Sequence, residues 1–261
     1  MPSSLARRKT AFCLAFASDV VQTLRTIPTR AELATLMRAV TREMRFRHFA
    51  LIHHDDLRTQ RLDRVDLKDY PPAVTERLFS NNRYRRDPVI RGCIFVDGAF
   101  LWSDLESLIE LNRHDRDSFE FGMREGLNEG ITVPYVRLGD CMGSCTFAGT
   151  RSPDRAYRYL GVAQMVGIFA FQAARRLIAP PESFTHRPRL HPRPRDCVVL
   201  AGRGLSNKEI ARALALTPRT VDGYLTEARR LFGAHDRTEL VVSAVLAGEV
   251  GLDELVRRQP G

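Results

Sequence analysis

Ser206-Asn207-Lys208-Glu209-Ile210-Ala211-Arg212-Ala213-Leu214, then Ala215-Leu216-Thr217-Pro218-Arg219-Thr220-Val221-Asp222-Gly223, decides how the C-terminal part of this chain folds. Ser206 and Glu209 have the spacing of a capping box, in which hydroxyl and carboxylate satisfy each other's free backbone donors, so a short helix is expected from there to about Leu214. After the turn Ala215-Leu216, Thr217 is placed to cap a second helix with Pro218 at its first position, where a missing amide proton costs nothing. Two helices so closely joined are the smallest unit that reads DNA. On the second helix Val221, Leu225, Ala228 and Phe232 make one apolar face, which turns Arg219, Gly223, Thr226 and Arg230 outward at about 100° per residue. Arginines on that row suit phosphates or the acceptor edge of guanine, Thr226 suits either, and Asp222 at the margin suits the amino group of cytosine. Lys208 and Thr220 complete the candidate DNA-contacting set. An exposed helical glycine costs about 1 kcal/mol relative to alanine, so Gly223 marks either a close approach of DNA to the backbone or a tolerated surface position.

Around this unit the charge is one-sided. From Arg187 to Arg237 there are eleven Lys and Arg against five Asp and Glu, which suits release of counterions from a phosphate backbone. The whole chain of 261 residues carries a formal charge of +9, which favours a polyanionic partner without naming one. Upstream, Ala179 to Arg195 contains Pro180, Pro181, Pro188, Pro192 and Pro194 with arginines between them, and no helix or central strand is expected to continue through it. The expected organisation is therefore a first domain over 1–178, a linker over 179–189 and the DNA-binding domain over 190–261.

Hydrophobic content of 44% and charged content of 27% are those of a globular protein with enough apolar material for a core. No run approaches the ~18 apolar residues of a membrane span, and Ala11 to Val21, broken by Ser18 and Asp19, does not read as a secretory signal; a cytoplasmic protein is expected. The cysteines Cys13, Cys93, Cys141, Cys145 and Cys197 are odd in number and scattered, which reads as buried thiols rather than disulfides or a zinc set. His53-His54-Asp55-Asp56 admits a metal reading but lacks further ligands at suitable spacing, so a polar strand end is the simpler expectation. No metal and no cofactor are expected.

The first domain alternates helices and strands. Asp19 to Met44 reads as two helices or one kinked at Pro28; Phe46 to His53 as a strand; Pro71 to Ser80 and Asp104 to Gly126 as helices; Gly130 to Val136 and Ser144 to Ala148 as strands; and Tyr157 to Ile178 as a long helix. The expected fold class is α+β, with an N-terminal α/β/α sandwich, by analogy the shape of many small-molecule sensor domains, followed by an all-α helix-turn-helix domain.

Leu190-His191-Pro192-Arg193, Gly204, Ser206 to Ala211, Thr220-Val221 and Arg237-Thr238 resemble the four-helix module of LuxR-type regulators. The resemblance implies that the second of the paired helices reads double-stranded DNA and that the fourth, about Asp236 to Ala247, helps to pair two modules on a dyad site. Pro194 departs from the family, which has Glu there, and a shifted start of the first helix is expected. Further forward, Tyr70-Pro71-Pro72, Asp87-Pro88-Val89, Phe100-Leu101-Trp102-Ser103 and Gly126 to Pro134 resemble the autoinducer-binding domain of quorum-sensing LuxR-type receptors, in the family's mutual spacing. By that resemblance the partner is a small-molecule autoinducer such as an acyl-homoserine lactone, or a related acyl or aryl amide, and the protein is a homodimer with no membrane association. Asp87 would accept the ligand amide proton, Tyr70 would donate to the acyl carbonyl, Thr146 would assist there or contact a 3-substituent, Trp102 would form a wall near the lactone, and Gly130 would be structural. Val74 stands where the family has a tryptophan that donates to the lactone carbonyl, and Leu78 where it has an aromatic residue.

Simpler readings stand beside these: Asp87 as a turn residue before Pro88, and Tyr70 and Trp102 as core. The alternative for the whole chain is a ligand-independent DNA-binding regulator whose first domain serves dimerisation or protein docking. An enzyme lacks support, since neither a nucleophile elbow with Ser, His and Asp nor a zinc set is present.

Overall fold

The computed structural model describes residues 4–54, 64–79, 84, 86–137, 141–178 and 188–256, the side chains of 4–13, 137 and 141 excepted. The chain divides into two compact units, one of Met1–Val136 with Cys141–Pro181 and a second that contains Glu182–Gly261.

The first unit opens with α1 (Ser4–Thr26) and α2 (Arg30–Glu43), separated at Pro28, where Thr29 accepts from the amide of Glu32 and caps α2. β1 (Phe46–His53) and β2 (Asp66–Lys68) follow, then α3 (Pro72–Phe79), α4 (Pro88–Gly92) and β3 (Phe100–Leu101). A 3-10 turn over Trp102–Asp104 leads into α5 (Leu105–Leu108) and α6 (Arg113–Arg124), after which β4 (Gly130–Arg137), β5 (Cys141–Thr150) and α7 (Leu160–Ile178) complete the unit. The five-stranded sheet has the order β2-β1-β5-β4-β3, with β1 antiparallel to β2 and β5 and β3 antiparallel to β4.

Side chains alternate across a strand, and this decides what each face meets. Phe49 and Leu51 of β1, Ile131 and Val133 of β4, and Cys145 and Phe147 of β5 are buried in one core with Leu33 and Met37 of α2 and Val166, Ala170 and Phe171 of α7. Ile52, Ser144 and Thr146 point the other way, toward α3, α4 and α6. The sheet thus lies between two helical layers.

Three sequence expectations in this unit are corrected. The single helix over Asp104–Gly126 is broken: α5 ends at Leu108, and Asn112 starts α6 afresh through a capping box with Asp115. The helix expected from Tyr157 begins as a 3-10 segment, Pro153–Tyr159. His53 is buried, its Nδ1 accepting from the amide of Val65 at 3.0 Å, so the strand does not end in a solvated polar pair; Asp55 and Asp56 lie outside the described residues. Cys93, Cys145 and Cys197 are free and buried. Among the described residues no group of His, Cys, Asp and Glu is placed to hold a metal ion, and no helix is long and apolar enough to cross a membrane.

The second unit holds α8 (Pro192–Gly202), α9 (Asn207–Leu214), α10 (Pro218–Phe232), α11 (Arg237–Leu246) and a short α12 (Leu252–Leu255) around its own core. α12 adds to the four helices expected. The expectation that nothing helical lies before Arg195 is overturned, because α8 starts at Pro192 and includes Pro194, which is buried. Both prolines fall in the first turn, where backbone N–H groups have no intrahelical partner to lose. The Arg195 guanidinium then ties α8 to the C-terminal end, donating to the Glu249 carbonyl at 2.8 Å and to the Glu254 carboxylate at 2.6 Å.

Candidate functional site

Pro72 begins α3 two residues after Tyr70, and Pro88 begins α4 directly after Asp87, so two helix starts fix where the phenol and the carboxylate stand. Both lie on the wall of a cavity of about 110 Å³ between the sheet and α3, α4 and α6. Val74 and Leu78, one turn apart on α3, line the same cavity, as do Trp102 and Thr146. All six residues singled out in the first domain are therefore brought together.

Their polar atoms form a connected row. The indole Nε1–H of Trp102 donates to Thr132 Oγ1 at 3.0 Å, and Thr132 Oγ1 is 3.0 Å from Thr146 Oγ1. Tyr70 shares a side-chain hydrogen bond with Thr146; burial, reinforced by the nearby Asp87 charge, raises its pKa well above the usual phenol value. Tyr70 is thus a neutral hydroxyl at physiological pH. Asp87 Oδ1 accepts from the amides of Val89 at 2.9 Å and Ile90 at 3.2 Å. Burial pushes Asp87 up to about 6 against the pull of those two amides. Helix cap and cavity wall are therefore one residue, and the turn reading and the ligand reading of Asp87 are compatible.

Trp102 is held from behind by a residue that sequence reasoning passed over. Glu129, buried, accepts through Oε1 from the amides of Trp102 at 3.0 Å, Ser103 at 3.3 Å and Gly130 at 2.8 Å. A Cβ on Gly130 would stand 2.6 Å from the indole, which gives the structural role of that glycine a cause: the ring lies flat on the β4 backbone. Thr132 and Ser144 were also missed. Period-two alternation put Ile131 and Val133 in a strand, and the same alternation turns Thr132 toward the cavity.

On the second unit the outer row of α10 is exposed at Arg219, Gly223, Thr226 and Arg230, while Val221, Leu225 and Ala228 are buried. Space is open where a Cβ on Gly223 would stand, so nothing within the fold requires glycine there. Thr217 accepts from the amide of Thr220 at 3.1 Å and caps α10; Thr220 itself is half-buried and Lys208 exposed. Asp222 is exposed, and its carboxylate accepts from Asn207 Nδ2 at 3.3 Å. Asn207 in turn accepts from Arg237 at 2.9 Å, and Arg237 also donates to the Leu205 carbonyl. Arg237 and Asn207 thus brace the start of α9 against α10 and α11, a purpose their sequence positions did not disclose.

Residues 29–174 match the autoinducer binding domain family and residues 189–244 match the bacterial regulatory proteins of the luxR family. The transcriptional activator protein BjaR1 of Bradyrhizobium diazoefficiens is 30% identical over 188 residues, 71% of this chain and 76% of its own length. The helix-turn-helix transcriptional regulator y4qH of Sinorhizobium fredii is 27% identical over 205 residues, 76% of this chain but 61% of its own length. The fold is also that of Escherichia coli SdiA in complex with octanoyl-rac-glycerol, with a TM-score of 0.60 at 16% identity over 95% of this chain and 97% of that one. Carrying both domains in this order, the chain belongs to the LuxR family of bacterial transcription regulators with an autoinducer-binding domain.

Proposed function

We propose that this chain is a cytoplasmic, ligand-responsive transcription regulator that acts by binding rather than by catalysis, taking an acyl-homoserine lactone or a related acyl or aryl amide in its first domain and a dyad DNA site as a homodimer through α10. The observation that carries the ligand half is the meeting of Tyr70, Asp87, Trp102 and Thr146 on one cavity wall, with neutral donors and a carboxylate acceptor side by side. An amide needs one acceptor for its N–H and one donor for its C=O. Asp87 supplies the first and Tyr70, with Thr146 beside it, the second. BjaR1 is a transcriptional activator by name, which supports the output, and SdiA, which shares the fold, has been solved with an acyl glycerol, which supports an acyl group in such a pocket but not the amide. The DNA half rests on the exposed row Arg219, Gly223, Thr226 and Arg230, with Lys208, Thr220 and Asp222 at its margins, and pairing is supported by Val242 and Leu246, exposed four residues apart on α11.

A second reading, a regulator independent of ligand, draws on Val74 and Leu78, which place no polar atom on the wall where the family has aromatic residues. Thermal unfolding of the full chain with a panel of acyl-homoserine lactones and aryl amides separates the two. The ligand reading expects at least one compound to raise the midpoint in proportion to the logarithm of its concentration; no shift across the panel leaves the ligand-independent reading.

A further inference from the structure

The cavity wall carries a second polar pair besides Tyr70 and Asp87. His54 follows β1 directly; its amide donates to the Met142 carbonyl at 2.8 Å, and its ring Nε2 is 2.9 Å from Ser144 Oγ. His54 and Ser144 both line the cavity. Ring Nδ1 is buried, and among the described residues it is the side-chain nitrogen or oxygen that is buried without a hydrogen-bond partner. Burial, with His53 adjacent, lowers the pKa of His54 to about 4, so the ring is neutral at physiological pH and has one donor and one acceptor nitrogen. If Ser144 donates to Nε2, Nδ1–H is left to donate; if Nε2–H donates to Ser144, Nδ1 is left to accept. A hydroxyl satisfies either tautomer, and a plain alkyl chain satisfies neither. Leaving a buried polar atom unpaired is costly, so the site favours whatever supplies its missing partner. Ser144 and Thr146 are two residues apart on the same face of β5, roughly 7 Å at about 3.4 Å per residue.

We propose that His54, positioned by Ser144, is a second recognition point that takes a hydroxyl carried on the part of the ligand beyond the amide held by Tyr70 and Asp87. The ligand class narrows to acyl or aryl amides that carry a hydroxyl on the part beyond the amide, such as a 4-hydroxyphenyl group. The amide end of this statement rests on the function proposed above; the His54 end does not.

The test is calorimetric titration of the full chain with N-(4-hydroxycinnamoyl)-homoserine lactone and N-cinnamoyl-homoserine lactone, which differ by that hydroxyl alone. The wild type is expected to prefer the hydroxylated probe by about tenfold. His54→Leu should abolish the preference, and Ser144→Ala, the gentler change, should reduce it. Equal affinities in the wild type, or a preference that survives in both variants, overturn the proposal. If neither lactone binds, the amide reading fails for these aryl probes. The His54 proposal is then decided by 4-ethylphenol against ethylbenzene, which require no amide contact: preferential binding of the phenol, lost in either variant, upholds it, and equal or absent binding of the two overturns it.

Discussion

Burial lifts Asp87 to about 6 while the amides of Val89 and Ile90 hold its charged form, so at pH 7 most molecules carry an ionised carboxylate on a partly apolar wall. The folded value lies above the usual 3.8; the folded chain therefore holds the extra proton between about 4 and 6, and stability from this group is lost as pH rises through that window. A ligand amide donates to the ionised form, so ligand affinity runs the opposite way and should fall as pH drops through about 6. Titrating a bound amide from about pH 7.5 down to about pH 5 should show this decline in the wild type and a flatter profile in Asp87→Asn; a flat wild-type profile would remove Asp87 from the amide. Val74 carries a second prediction. Restoring the family's tryptophan there puts an N–H donor back on the wall beside Tyr70, and Val74→Trp should strengthen binding of an acyl-homoserine lactone by about 1 to 3 kcal/mol, read by the same titration. Unchanged or weaker binding would show that the lactone carbonyl is not directed at this position. Neither effect could be sized from sequence, since Asp87 before Pro88 looks the same whether its carboxylate is buried or solvated.

Among the elements, β4 sets the shape of the cavity through the absence of one side chain. With a Cβ 2.6 Å from the indole, Gly130→Ala must push Trp102 off the strand and with it the bond to Thr132. Overpacking of this kind costs typically about 1 to 3 kcal/mol, so the variant should melt earlier and lose ligand response; a midpoint and response equal to wild type would mean that the indole has room to move. α10 makes a different kind of prediction, because its outer row contributes nothing to the core. Arg219→Ala and Arg230→Ala should leave the thermal midpoint unchanged while each phosphate contact removed lowers the slope of log affinity against log salt by about 1. Unchanged DNA affinity in both variants would refute this row as the reading face. Pattern reasoning placed α9 and α10 closely because their caps are local: Ser206 with Glu209, and Thr217 before Pro218, act within one turn. It joined α5 to α6 by passing over an equally local cap, Asn112 with Asp115; the long-range part of that break, Arg91 of α4 reaching the Asp115 carboxylate at 2.8 Å, has no local signal.

Across the whole molecule, the hydrophobic clusters of the two units stand on separate stretches of chain, those of the first within Ala17 to Ala174 and that of the second within Cys197 to Val250. A ligand that occupies the first unit stabilises what it binds by mass action, so differential calorimetry should show the transition of the first unit rising with ligand while that of the second stays; one transition rising as a whole would show that the units unfold together. The same division explains what was legible beforehand. Helix periods, caps and strand alternation are written in neighbours a few residues apart, and they determined by themselves the closely joined helices α9 and α10 and the strands β1, β4 and β5. A resemblance carried by Tyr70, Asp87, Trp102 and the stretch before Pro134 indicated which side chains to watch. What tertiary structure alone decided is how residues far apart in the chain meet: Glu129 beneath Trp102, Thr132 between Trp102 and Thr146, and His54 against Ser144 with one nitrogen left over. Each depends on strand register and on the packing of α3, α4 and α6 over the sheet, and a hydrogen bond spanning ninety residues of chain, as between His54 and Ser144, leaves no periodic trace in the sequence.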